Sequence, residues 1–319
     1  MINSKMKILL IGAGEIAHEY VRAFVALGVK DIHVMSRTAA SAEAFCKTWD
    51  LTPAPAHGRG YIAAHAASYD GVVIASPVET LLPYLNDLAE AGAKRILVEK
   101  PVALRAQELD AFLARYPDAP VMVALNRLFF PSVEALRQHL RTEPVRSAEF
   151  SFTEWVHRIQ PEKYSPEVLA RWGAANCVHV IATAFDLTGA PRKLAVQVGG
   201  GSDIAWHPAG SNFAGSGVTE TNALFSYAAD WMSAGRWSLT IRTARGSYQL
   251  EPMEQLTFCP KGSVTREVLV PNWAGPTKCG FVEMLTHWMS TPAADPRFGL
   301  ARLRQHLAAV GAILYSEAL

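Results

Sequence analysis

The sequence predicts an α/β domain with a doubly wound parallel sheet, followed by a second domain built on short strands joined by turns. Three observations predict it. Apolar runs alternate with amphipathic helical stretches through the first 125 residues. A glycine-rich turn follows the first of these runs, and from about residue 218 strand patterns succeed one another across turns. A chain of 319 residues is long enough for two domains with a sizeable buried core.

The elements justify themselves in order. Lys7 to Ile11 is a continuous apolar run, as a strand buried on both faces requires. Glu15 to Leu27 places Ile16, Tyr20, Phe24 and Leu27 at helical spacing, and Gly28 closes the helix. Asp31 to Met35 is a second strand and Ser41 to Trp49 a second helix. Strands at Gly71 to Ala75, Arg95 to Val98 and Val121 to Leu125 follow, with a helix over Glu79 to Ala91 between the first two. Repeated strand–helix–strand units imply right-handed crossovers and a parallel sheet. Later strands are expected at Val218 to Tyr227, Arg236 to Thr243, Ser247 to Glu251 and Gln255 to Cys259. Helices close the chain at Gly280 to Met289 and Arg302 to Leu314. The small, polar segment from His207 to Gly217 reads as a loop.

Composition narrows the partners. Thirty basic residues face twenty-nine acidic ones, a net charge of +1, which gives no electrostatic reason to expect nucleic acid or an anionic membrane. The N-terminal apolar run breaks at Gly12, too early for a signal peptide, and no apolar stretch is long enough to span a bilayer. Cys46, Cys177, Cys259 and Cys279 are widely spaced, as reduced structural thiols in a cytoplasmic protein would be. The histidines show no HExxH or paired ligand spacing, so no metal is expected, and a GxSxG elbow is absent.

The chemistry starts at Gly12-Ala13-Gly14-Glu15-Ile16-Ala17, a GxGxxA turn between the first strand and helix. Gly12 permits the tight turn, Gly14 lets the backbone approach a pyrophosphate, and Ala17 lets helix and strand pack closely. The helix N-terminus offers N–H groups and a positive dipole end to the phosphates. This is the Rossmann dinucleotide-binding pattern in its proper context. Cofactor choice is read at the end of the second strand, about twenty residues on. Ser36-Arg37-Thr38 stands there, with no acid to repel a 2′-phosphate and an arginine to pair with it, so NADP is preferred to NAD. Further on, Glu99-Lys100-Pro101 follows a strand at the carboxyl edge, where ligands bind. A lysine fixed by the following proline and partly desolvated beside a nicotinamide can exchange a proton with a substrate hydroxyl. The same tripeptide is also read as a surface Glu-Lys pair ahead of a helix-starting proline.

The combination resembles the glucose–fructose oxidoreductase / inositol dehydrogenase / MocA family. The resemblance is carried by GAGEIA at 12–17, Ser76-Pro77 after the fourth strand, EKP at 99–101, NRLFFPS at 126–132 and GRWSLTIRTARGSYQLEP further on. It implies a Rossmann domain over residues 1–125, then a substrate-binding and oligomerisation domain over 126–319 with a mostly antiparallel open sheet. It implies a pyridine-nucleotide-dependent oxidoreductase of a sugar, polyol or nucleotide-sugar, forming a homodimer or homotetramer through that sheet. The implied cofactor contacts are Gly12, Ala13, Gly14, Glu15, Ile16, Ser36, Arg37, Thr38, Ser76, Pro77, Glu99, Lys100 and Asn126, with Lys100 the first catalytic choice.

The family signature Asp-x-x-x-His falls on Ala175 to His179, so the histidine is kept and the acid is lost. Neighbouring Asn176 resembles the Asn-x-x-His variant of members tied to surface-polysaccharide sugars. Asn cannot serve as a carboxylate base, which puts the standard proton relay in question and keeps a non-catalytic NADP-binding sensor or scaffold in play. A reductase of a non-sugar carbonyl or imine is a third reading. His179 is expected to assist catalysis, and Asn126 and Asn176 to hold hydroxyls. Trp155, Arg158, Lys163, Tyr164, Arg171 and Trp172 suit a sugar as a group, with aromatic faces beside cations. Individually each is equally at home in packing or on the surface.

Overall fold

The computed structural model describes residues 4–291 and 295–319. They form two compact units: the residues up to Ala103 with Gln107–Asn126 and Gly275–Leu303, and Leu104–Ala106 with Arg127–Ala274 and Arg304–Leu319. In the first unit the chain runs β1 (Ile8–Ile11), α1 (Glu15–Ala26), β2 (Ile32–Met35), α2 (Ala39–Trp49), β3 (Thr52–Pro53) and α3 (Arg59–His65). It continues through β4 (Gly71–Ile74), α4 (Val78–Glu90), β5 (Ile96–Glu99), α5 (Asp110–Arg115) and β6 (Val121–Ala124). The sheet order is β3-β2-β1-β4-β5-β6 and every pairing is parallel. Strand order reverses at β1, which pairs with both β2 and β4, so the switch point where a nucleotide binds lies between β1 and β4. All residues of β1, β4, β5 and β6 are buried, which is why, Glu99 at the end of β5 apart, they are apolar without alternation.

The second unit holds α6 (Pro131–Leu140), β7 (Ser147–Phe152), α7 (Pro166–Ala170), a π-helical turn at Gly173–Cys177 and α8 (Val178–Thr188). Seven strands follow: β8 (Pro191–Gly199), β9 (Asn212–Thr219), β10 (Leu224–Asp230), β11 (Trp237–Arg242), β12 (Gly246–Leu250), β13 (Leu256–Pro260) and β14 (Glu267–Val270). Their order is β14-β13-β12-β11-β7-β10-β9-β8, antiparallel except where β7 meets β10. One face is aromatic and buried. Phe150 stacks on Tyr227 at 5.5 Å, and Phe185 of α8 meets Phe150 and Phe225 edge-on at 5.7 and 5.2 Å. Each such ring taken from water contributes roughly 2–3 kcal/mol, so this face is the core of the unit.

Two sequence expectations are corrected here. The run from Val218 to Tyr227 is not one strand: β9 ends at Thr219, Asn222 turns the chain at φ 63°, and β10 begins at Leu224. The loop expected at 207–217 gives way to strand from Asn212, because its glycines are packing residues. A Cβ at Gly217 would lie 2.6 Å from the Phe225 ring. Strands β7, β8 and β14 were not expected from the sequence.

Late in the chain, α9 (Phe281–Ser290) returns to the first unit and packs on α1, Phe281 edge-on to Tyr20 at 5.2 Å. The Arg95 guanidinium holds the end of α9 through the carbonyls of Trp288 and Thr291. The last helix, α10, spans Leu300–Tyr315. All four cysteines are free thiols, and among the described residues no helix is long and apolar enough to cross a membrane.

Candidate active site

At the nucleotide end, the backbone is shaped by one obligatory glycine. Gly12 sits at φ 127°, and a Cβ there would lie 2.1 Å from the Ala75 carbonyl oxygen. Gly12 N–H donates to the Met35 carbonyl and Ala75 N–H to that of Ile11, both at 2.7 Å, which ties the turn to β2 and β4. Gly14 differs. A Cβ there would meet nothing within 4 Å, so the space above it is open for a ligand. Gly14 also begins α1 without a side-chain cap, leaving first-turn N–H groups facing outward at the positive end of the helix. Ala13 and Ile16 are half-buried and Glu15 is exposed, while Ala17 is fully buried against the sheet.

After β2, Thr38 caps α2 by accepting the Ser41 N–H at 3.2 Å, and the Ser36 hydroxyl donates to the Thr38 carbonyl at 2.8 Å. These hydroxyls organise the turn and leave Arg37 exposed. No acidic side chain stands at these three positions, so the edge suits a phosphate better than it would with an aspartate. After β4, the Ser76 hydroxyl accepts from Thr80 at 2.8 Å and Pro77 precedes α4.

Glu99 ends β5 and is buried, accepting the Tyr20 hydroxyl of α1 at 2.7 Å. Burial pushes the Glu99 carboxyl up, against the pull of Lys100, the Tyr20 hydrogen bond and Lys278. Burial also pushes the Tyr20 phenol well up, reinforced by Glu99. The pair therefore ties β5 to α1 beneath the turn. Lys100 follows, half-buried, with a cis bond to Pro101, and Val102 lies at φ 65°. Asn126, two residues beyond β6, is buried and its amide donates to the Cys279 carbonyl at 3.0 Å. Gly12–Ile16, Ser36–Thr38, Ser76, Pro77, Glu99, Lys100 and Asn126 thus all stand at the carboxyl edge of one sheet.

The second unit gathers another set. His179 opens α8, is buried, and lies 6.0 Å ring to ring from Trp237. Asn176 is on the π-helical turn just before it, a helix type that recurs at functional sites. The side chain that organises this cluster was missed by the sequence reading. It is Glu154, two residues past β7 and only 2 % exposed. Its carboxylate accepts from Asn176 Nδ2 (3.0 Å to each oxygen), Cys177 Sγ (3.3 Å), Arg236 Nη1 (3.2 Å) and Trp237 Nε1 (3.1 Å). Arg236 stacks on Trp237 and Trp155 at 4.5 and 5.0 Å, and Arg158 on Trp155 at 4.4 Å. Trp155 is held by donation to the Gly235 carbonyl at 2.9 Å.

The other aromatic and basic candidates lie elsewhere in this unit. Trp172 is buried edge-on against Tyr164 and Trp206, at 5.0 and 6.0 Å. Arg171 pairs with Glu317 at 2.6 Å and stacks on Tyr315 at 3.8 Å, while Lys163 is exposed. Ala175 is buried, and no acid stands at that helical position. The only sequence signal for Glu154 was an acid directly between β-rich, apolar and aromatic neighbours.

Comparison with known proteins agrees with this layout. No curated protein sequence matches the chain. Solved structures do match along nearly its whole length. A UDP-N-acetylglucosamine 3-dehydrogenase, GnnA, from Acidithiobacillus ferrooxidans superposes with a TM-score of 0.74 at 17 % identity, covering 97 % of this chain and 96 % of that one. An oxidoreductase from Agrobacterium radiobacter in complex with NAD+, L-tartaric acid and magnesium gives 0.80 at 15 %, covering 98 % and 96 %. A protein proposed to be a myo-inositol dehydrogenase, from Sinorhizobium meliloti 1021, gives 0.73 at 20 %, covering 98 % and 97 %. At these identities the likeness is one of fold. Residues 6–127 match the family model described as an oxidoreductase family with an NAD-binding Rossmann fold. Over those residues the chain is similar to the glucose–fructose oxidoreductase / inositol dehydrogenase / MocA family of oxidoreductases.

Proposed function

We propose that this protein is an NAD(P)-dependent oxidoreductase acting on a hydroxyl or keto carbon of a sugar, polyol or nucleotide-sugar. The observation that carries the reading is Lys100, set at the end of β5 on the same sheet edge as the Gly12–Ala17 turn. When bound, the nicotinamide supplies the hydride donor or acceptor. In the oxidative direction Lys100 Nζ takes the proton that the hydroxyl gives up as its C–H hydride leaves. In the reductive direction it returns that proton to the new alkoxide. His179 assists or orients the substrate, and Asn126 and Asn176 hold hydroxyls. Gly14, the uncapped start of α1 and Arg37 receive the pyrophosphate and a 2′-phosphate, which favours NADP over NAD.

The experiment is a titration of NADH and NADPH, followed by a screen of hexoses, uronic acids, inositols and UDP-sugars. NADPH should bind more tightly, and Lys100→Ala should keep that affinity while losing at least about a hundredfold in kcat. A Lys100→Ala variant with full activity would remove the assignment, and tighter NADH binding would remove the cofactor preference. The alanine at 175 favours a second reading, an NADP-binding sensor or scaffold without turnover. Cofactor binding with no turnover across the panel would favour that reading, and turnover of a ketone or imine outside it a non-sugar reductase.

A further inference from the structure

Glu154 accepts four side chains, and one of those bonds has a chemical consequence. Asn176 presents its amide nitrogen to both carboxylate oxygens at 3.0 Å. An amide can be turned either way in its plane, but a carboxylate that only accepts leaves one orientation, nitrogen toward the acid. Nδ2 is then turned to the acid, with one hydrogen shared between its two oxygens. Among the described residues Oδ1 has no hydrogen-bond partner, and the Asn176 side chain is only partly buried.

The neighbouring Cys177 thiol reaches the same carboxylate at 3.3 Å. Consecutive residues of a regular helix do not face one partner, and the π-helical turn at Gly173–Cys177 is what brings both to it. Arg236 and the Trp237 indole complete the shell at 3.2 and 3.1 Å, so every neighbour is a donor and the acid is fixed from all sides. Charge-assisted bonds of this kind hold geometry more firmly than neutral ones.

We propose that Glu154 is a substrate-positioning residue of the second unit, and that it makes Asn176 an acceptor that reads a substrate hydroxyl. This deepens the proposed function and rests on it for the identity of the ligand. The group recognised is a hydroxyl that the reaction leaves unchanged, in a polyol or sugar. A derivative in which that hydroxyl is removed or methylated leaves Oδ1 without a donor and binds less well.

Two measurements test the proposal separately from the reaction. In protein labelled with 15N-asparagine, the side-chain amide pair that vanishes in Asn176→Ala should move in Glu154→Gln and stay in place in Lys100→Ala. A pair unmoved by Glu154→Gln overturns the proposal whether or not the protein is an enzyme. The second arm takes the best member of the panel with its singly deoxygenated and O-methylated derivatives. It compares kcat/KM or, where turnover is absent, Kd from tryptophan fluorescence with NADPH present. The wild type should disfavour the derivatives at one position by about tenfold or more. Glu154→Gln, which frees the amide to turn, and Asn176→Ala should both shrink that ratio towards one, with NADPH affinity unchanged. Selective binding without turnover would sink the oxidoreductase reading and keep this one. Turnover with selectivity intact in Glu154→Gln would do the reverse. If Glu154→Gln does not fold, Asn176→Ala and Glu154→Asp carry the same comparison.

Discussion

A methyl group at position 12 has nowhere to go, since Ala75 backbone lies 2.1 Å from where it would sit. Backbone cannot rotate aside as a flexible side chain can, and φ 127° adds strain for any residue with a Cβ. Gly12→Ala should therefore cost roughly 2–5 kcal/mol and lower the melting temperature by about 5–15 °C. Gly14→Ala meets open space and should leave the melting temperature alone while weakening cofactor binding on the order of tenfold. Thermal melts and cofactor titration of the two variants check this, and a Gly14→Ala protein that binds normally would remove Gly14 from the site. The two glycines were legible in the sequence because their duties follow from a known turn. Glu154 was not legible, because what marks it is convergence: donors from residues 176, 177, 236 and 237 meet on it from two other elements. No spacing within the chain announces such a meeting.

At the scale of elements, the π-helical turn before α8 is buttressed from the end of α10. The Gly173 N–H donates to the Tyr315 hydroxyl at 2.9 Å, and that hydroxyl in turn donates to His207 Nε2 at 3.2 Å. His207 Nδ1 must carry the proton, because its partner at 2.7 Å is the Gly210 carbonyl. The neutral ring thus fits its partners and the cation does not. Burial pushes the His207 pKa down, and nearby Arg171 pushes it further, against the Gly210 hydrogen bond. The unfolded chain then binds a proton that the folded one refuses. Stability from this group is complete above the ordinary histidine range and falls as pH drops below about 6.5, by at most about 1.4 kcal/mol per unit. Chemical denaturation at pH 5.5 and 7.5 should show that loss in the wild type and a smaller one in His207→Asn, which keeps a donor for Gly210. Equal pH dependence in the two proteins would refute it. The segment beginning at His207 also shows why the second sheet was only partly legible. Gly215 and Gly217 suggest a loop by composition, yet they are glycines because Tyr227 and Phe225 lie across them in β10. Burial on one sheet face, rather than turn chemistry, chose the residues. In the first unit both criteria agreed, so the strands and helices expected there fell close to where the apolar pattern put them, while the short β3, α3 and α5 were not expected.

For the whole molecule, the second sheet leaves one face uncovered in the described chain. That face carries Ser151, Ala214, Ser216, Ser226, Ala228 and Thr240, mostly small side chains with Glu149 among them, alternating with the buried aromatics. Small side chains let a second sheet approach closely, so the self-association that the family resemblance implies would use this face. Ala228→Arg, at the centre of β10, should convert the assembly to monomer in light scattering behind size exclusion, with the melting temperature little changed. A wild-type monomer, or an oligomer indifferent to this charge, would place the contact elsewhere or nowhere. The discontinuous first unit has a different bearing, on synthesis. The seat of α9 on α1, with Phe281 against Tyr20 and Trp288 near Phe24 at 6.5 Å, stays empty until some 150 further residues leave the ribosome. At ordinary elongation rates that is on the order of ten seconds or more. Through that interval the nascent first unit leaves an apolar helix flank exposed, and only the C-terminal segment can cover it.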